Sequence, residues 1–449
     1  MKVSVSQKIR AALEGPGKRI GWGLADQGLS SLTNFVVGIV IAKSVGLDEF
    51  GAYALAFSAY CLVLGVSRAL TTEPFAVRYS SVAGVASKAA AGNAAGTALL
   101  LGTAAAAVAL VSSLFLPAQY RGLVLALSAV LPGIILQDSW RLLFFARGYG
   151  RAAFGNDLIW TILLVPAFAL DFLDGQVSST SLLLAWGSAG TLAGIYGILQ
   201  FRAWPAPVAA ARWLTETRAL WPRYLCEGLA INGSQQVYMF GLAGLTGLAS
   251  VGAFKLVLVV LGPVNVLVQG IGAVAVPEAS RAWAKGRKQL NLTAVAFSLV
   301  VSVGALCWGT VVSAVPEVWL EATVGAGWTA AAVLLMPVML SQVFNGANTG
   351  PVAALRAMGQ AKRSMWTRIV ASFLVLVLVL LGALAGGIRA AAWGLAAAAL
   401  MNLGMWLHQF RRAAVMQAAS GNDLDRKLAG AAMPALAAKT SEPGRGKHA

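Results

Sequence analysis

Apolar runs of about 20 residues, separated by short polar stretches, recur along the whole chain. They fall near 20–42, 50–70, 93–116, 123–145, 154–172 and 182–201, and then near 224–245, 252–276, 292–315, 329–348, 369–387 and 390–410. A helix rises about 1.5 Å per residue, so each run is long enough to cross a hydrocarbon layer about 30 Å thick. The pattern predicts an all-α polytopic membrane protein of about 12 transmembrane helices.

The polar stretches between the runs carry an alternating charge. With the N-terminus placed in the cytoplasm, the inner segments hold 28 Lys and Arg residues, among them Arg78, Lys88, Arg281, Lys285, Arg356 and Arg368. The outer loops hold three: Lys43, Arg121 and Arg389. Cytoplasmic loops are enriched in Lys and Arg, and losing one span would scramble this alternation. The expectation is a plasma (inner) membrane protein with both termini cytoplasmic. Composition agrees: of 449 residues 58% are apolar and 11% charged, against about 25% charged in a soluble domain. The net charge of +17 therefore reflects inner loops, with no nucleic-acid partner implied. Cys61, Cys226 and Cys307 lie in apolar runs, with no metal spacing. No phosphate-binding Gly-rich loop and no large external loop is present, so the chain reads as no enzyme, with no cofactor and no metal.

The two halves repeat. Gly46-Leu47 followed by Gly51-Ala52 matches Gly247-Leu248 followed by Gly252-Ala253 at an offset of 201. Pro74 and Arg78 match Pro277 and Arg281 at 203, and Pro132 and Gln137 match Pro337 and Gln342 at 205. Ala185-Trp186-Gly187 matches Ala392-Trp393-Gly394 at 207. The drift is steady and in chain order. It divides the chain into a cytoplasmic segment (1–19), a six-helix bundle (20–202), an interfacial cytoplasmic linker (203–221), a second six-helix bundle (222–411) and a basic tail (412–449). Two parallel bundles of this kind suit a transporter with a cavity between them.

Polar groups inside the spans are costly in lipid and mark function by default. The repeat pairs Asp26 with Glu227 and Asn34 with Gln235. Acid and amide are eight residues apart, about 12 Å along a helix, so they can line one side of a cavity at two depths. The alternative is a structural polar contact near the membrane surface. Gln137, Asp138 and Arg141 share the fourth helix, and the acid and base, three apart, can pair. Arg68 ends the second helix, and Lys255 lies about one turn into the eighth. These three bases are the intramembrane cations available to an anionic headgroup, with Arg suited to gripping phosphate oxygens in pairs.

Several of these residues carry a resemblance. Asp26-Gln27 with Ser31 and Thr33-Asn34-Phe35, Arg68 with Glu73-Pro74, Gln137-Asp138 with Arg141, and Gly252-Ala253 with Lys255 resemble Wzx-type oligosaccharide and polysaccharide flippases. These belong to the multidrug/oligosaccharidyl-lipid/polysaccharide exporter (MOP) superfamily. The resemblance implies two six-helix bundles around an alternately opening cavity. It also implies a polyprenyl-diphosphate-linked oligosaccharide as cargo, moved from the inner to the outer leaflet for polysaccharide biosynthesis. Its implied partners are membrane lipids, a polysaccharide polymerase and glycosyltransferases. Two other readings stay open on the residues: a proton- or cation-coupled exporter of small amphipathic molecules, and a non-transporting membrane partner of glycan enzymes.

Overall fold

The computed structural model describes the backbone of residues 5–440 apart from 81, 83 and 176, and side chains within 21–416 apart from those three and 231, 232, 273 and 361. The charged segment 1–19 and the tail beyond 416 thus lie outside the described side chains. Among the described residues the chain is helical, without strands.

The first half is built of long helices. They are α1 (Val5–Ser44), α2 (Leu47–Leu70) continued by the short α3 (Thr72–Tyr79), α4 (Val85–Ser113), α5 (Ala118–Ala146), α6 (Gly150–Leu173) and α7 (Ser179–Phe201). Six spans here are long and apolar enough to cross a membrane. A buried core joins Phe50, Tyr53, Leu131, Ile134, Leu183 and Trp186 from α2, α5 and α7. The linker holds α8 (Ala210–Glu216). Its Trp213 is fully buried and donates its indole N–H to the Leu70 carbonyl at 2.9 Å, which fixes the linker beneath the end of α2.

The second half covers the same course with broken helices. The seventh span is α9 (Trp221–Gly228), a π-helical turn at Leu229–Gly233, and α10 (Ser234–Thr246). The eighth joins α11 (Leu248–Val260) to α12 (Gly262–Ala284) through a bend of 54°. The ninth, α13 (Arg287–Ala314), is continuous. After α14 (Glu317–Val324), the tenth is divided into α15 (Trp328–Ala332), α16 (Leu335–Ala347) and α17 (Thr349–Ala357). The stretch α18 (Ala361–Thr440) is two helices that meet at Gly386 and Gly387, where Gly387 has φ of 65°, a conformation other residues rarely adopt. Among the described residues, length and hydropathy recognise eight crossings, or nine with the bent pair counted as one span.

The halves meet where α2 packs on α11 and α1 on α11 and α12. At the end predicted to be outer the approach is backbone to backbone. A methyl group placed on Gly51 would stand 2.0 Å from the Leu248 carbonyl oxygen, and one on Gly252 would stand 2.1 Å from the Leu47 carbonyl oxygen. Both pairs are related by the repeat offset of 201, so the contact is reciprocal about a pseudo-twofold axis. Only hydrogen side chains allow it.

Candidate transport site

The first bundle holds a buried ionic cluster. Arg68, at the end of α2, donates from Nε and Nη2 to the two oxygens of Asp138 on α5, at 2.8 and 2.6 Å. Arg141, one turn further along α5, donates from Nε and Nη2 to Asp26 Oδ2 on α1, at 2.9 and 2.5 Å. Its Nε also lies 3.1 Å from Asp157 Oδ2 on α6. The pairing expected between Asp138 and Arg141 is the weakest contact of the group at 3.9 Å, because both oxygens of Asp138 are taken by Arg68. A planar fork facing a carboxylate across two helices makes a better bond than two neighbours on one helix, whose side chains run nearly parallel.

Neutral amides extend the cluster. Gln137 donates to Asp157 Oδ1 at 2.8 Å and to Asn156 Oδ1 at 3.1 Å. Asn156 donates to the Ala193 carbonyl at 3.0 Å and to Gln200 at 3.3 Å, and so reaches α7. Three carboxylates therefore face two guanidinium groups, and Asp26 Oδ1 is buried without a hydrogen-bond donor. A cavity of about 260 Å³ opens on this cluster; Asn34, Arg68, Gln137, Asp138, Arg141 and Asp157 are in its wall. Asp26 is not in that wall. It is 1% exposed and turned toward Arg141, so it does not share a cavity face with Asn34 as the helical spacing suggested.

The second bundle holds a cavity of another kind. Its volume is about 780 Å³, and its wall is formed by α10, α11, α12, α16, α17 and both arms of α18. Among the described residues seven amide side chains face it: Gln235, Asn265, Gln269, Gln342, Asn345, Asn348 and Asn402. Lys255, Arg356 and Arg368 are its cations, and no described Asp or Glu lines it. Asn348 and Asn402 are 8% and 5% exposed, and the side-chain oxygen of each lacks a donor from the protein. Glu227 lies apart from Gln235, in an adjoining cavity of about 480 Å³ that shares Arg356 and Arg368. Gln269 belongs to the walls of both the 780 Å³ and the 260 Å³ cavities, so it stands where the two bundles' polar interiors meet.

The sequence reading missed Asp157, Arg356 and Arg368. Asp157 sits in the run 154–172, and an acid inside a span was itself the signal. Arg356 and Arg368 were counted only as inner-loop charge, although both helices that carry them extend the cavity wall. Asn345, Asn348 and Asn402 read equally as contacts between helices in lipid.

The fold has known counterparts. The chain superposes on an inward-facing MATE-family multidrug resistance transporter of the MOP superfamily with a TM-score of 0.64 at 13% identity, covering 87% of this chain and 95% of the other. The MurJ lipid II flippase in an inward closed conformation gives 0.66 at 13% identity, covering 88% and 90%. The outward-facing MATE transporter gives 0.56 at 14% identity over 90% and 97%. No family model matches the chain, and no curated protein does. The fold is the MATE- and MurJ-like polytopic fold.

Proposed function

We propose that this chain is an alternating-access flippase of the Wzx type, moving a polyprenyl-diphosphate-linked oligosaccharide from the inner to the outer leaflet of the plasma membrane. One observation carries the reading: the 780 Å³ cavity combines seven amides with three cations and no carboxylate. Sugar hydroxyls need many hydrogen-bond partners when they leave water, and a diphosphate needs cationic donors. Amides serve the first need as donor and acceptor together, and Asn348 and Asn402 each offer a free acceptor. A cavity for small cationic amphiphiles would be expected to carry an acid and a more apolar wall. Arg356 and Arg368, at the cytoplasmic ends of their helices, are the proposed diphosphate grip. The polymerase and glycosyltransferases that handle such a glycan are the proposed partners.

The ionic cluster of the first bundle is the proposed coupling site. Three buried acids with two guanidinium groups leave one negative charge in excess, and a buried excess charge is costly until a proton or a small cation joins it. In this reading Asp26, Asp138 and Asp157 with Arg68 and Arg141 supply the drive, and the second bundle holds the cargo.

Native mass spectrometry of the purified protein tests the cargo. The expected result is a retained diphosphate-linked glycolipid that falls at least tenfold in the Arg356→Ala, Arg368→Ala double variant. Retention of a cationic amphiphile in its place, or a glycolipid unaffected by both substitutions, overturns the reading.

A further inference from the structure

Lys255 has a position that a diphosphate grip at the cytoplasmic end does not explain. The chain directions order the cavity wall. Lys255 is the eighth residue of α11, which runs from the predicted outer end, while Arg356 is the last residue but one of α17 and Arg368 lies in the first turns of α18, so these cations stand toward opposite ends of the wall. From Gln342 to Arg356 the wall runs 14 residues of nearly continuous helix, about 21 Å. A diphosphate held at Arg356 and Arg368 therefore lies too far from Lys255 to be held by all three.

The surroundings of Lys255 contain no countercharge. It makes no ion pair among the described residues, and no acid lines its cavity. Its ammonium lies over the ring of Phe57 on α2, 4.8 Å from Nζ to the centroid. A cation–π contact recovers only part of what an ammonium loses on leaving water. The bases of the ionic cluster have their acids: Arg68 has Asp138, and Arg141 has Asp26 and Asp157. Lys255 has none among the described residues, and it faces the amide-lined space where sugars would lie.

We propose that Lys255 recognises a second anionic group on the cargo, a carboxylate carried by a sugar distant from the lipid. This rests on the glycolipid reading above and narrows it to acidic oligosaccharides, of which hexuronic acids are the simplest class. The ammonium of Lys255 would donate to the carboxylate, while the diphosphate remains at Arg356 and Arg368.

Two synthetic polyprenyl-diphosphate tetrasaccharides, identical except for a terminal hexuronic acid in one and the corresponding neutral hexose in the other, test it. Binding is measured on the full chain in nanodiscs. The wild-type protein is expected to bind the acidic form at least tenfold more tightly. Lys255→Gln should bring the two to near parity with neutral affinity held within about twofold, and Lys255→Arg should keep the preference, since a charged hydrogen bond contributes on this scale. Thermal melting confirms that each variant is folded. Equal binding of both glycans by the wild type, or an equal loss of both in Lys255→Gln, overturns the role of Lys255 and leaves the flippase reading standing. Binding of neither glycan overturns the flippase reading itself.

Discussion

Arg141 reaches Asp26 through two nitrogens, at 2.9 and 2.5 Å, and Asp157 through one at 3.1 Å, so a single guanidinium ties α1, α5 and α6 together. Breaking a buried ion pair from one side costs about 3–5 kcal/mol, because the remaining charge is stranded. Arg141→Ala should therefore lower the melting temperature in detergent by several degrees and reduce expression. Adding Asp138→Ala should not rescue it, since Asp138 belongs to Arg68. Adding Asp26→Asn should recover part of the loss. A rescue by Asp138→Ala would mean that the pairing seen here is not the one that stabilises the protein.

The charge surplus predicts how drive and binding separate. Asp157→Asn or Asp26→Asn removes one acid and brings the cluster to two carboxylates with two guanidinium groups. Cargo retention, which depends on the other bundle, should stay within about twofold. Transport into proteoliposomes driven by a proton or sodium gradient should fall by an order of magnitude or more, on the view that intramembrane acids are functional. Gradient-driven transport at wild-type rates in both variants would make the cluster structural.

The Gly51–Gly252 contact predicts a conformational bias. A valine at either position places carbon atoms where the partner's carbonyl oxygen lies. The clash exists only while the outer end is closed, so Gly51→Val should favour the outward-open state. Spin labels on α2 and α11 near this end should report a longer mean distance than in wild type, and maleimide should reach the cavity from outside. An unchanged distance distribution would show that the contact does not gate.

Orientation rests on the loop charges and is checked directly. Thr323→Cys, exposed at the end of α14, should react with a membrane-impermeant maleimide in intact cells. Lys288→Cys, exposed at the start of α13, should react only after permeabilisation. The reverse pattern would invert the protein in the membrane.

Much of this was legible in the sequence. Hydropathy located the six spans of the first half because lipid imposes a length on every apolar run. The repeat was readable in Gly51 and Gly252 because a backbone contact admits no other residue, and these two positions meet where α2 packs on α11. The candidate site was legible as a set of residues and less so as a set of partners. Asp26, Arg68, Gln137, Asp138 and Arg141 converge, yet spacing along α5 paired Asp138 with Arg141 when the true partners lie across helices. Chain proximity is a poor guide to pairing where side chains from four helices meet. The breaks at 229–233 and 261 were unreadable for a simpler reason: each keeps the hydropathy of its span and alters only the backbone, whereas the one at 386–387 falls at the boundary between the runs 369–387 and 390–410.

The repeat has diverged in one further respect. Gln137 retains its match in Gln342, but at the same offset Asp138 and Arg141 correspond to Val343 and Gly346. One copy is cross-braced by fixed charges, while the other has none at those positions and has helices interrupted beside its cavity, at the π-helical turn, at the 54° bend and at Asn348. Interruptions of this kind are where helices flex. In the transport reading proposed above, the first bundle would act as a stator and the second as a deformable chamber whose walls are its own hinges. Because the π-helical turn, α11 and α12 also pack on the first bundle, flexing there would be felt at the interface between the two. A protein built so would tolerate cargo of uneven length, and its specificity would reside in the few charges it meets and not in the shape of the whole.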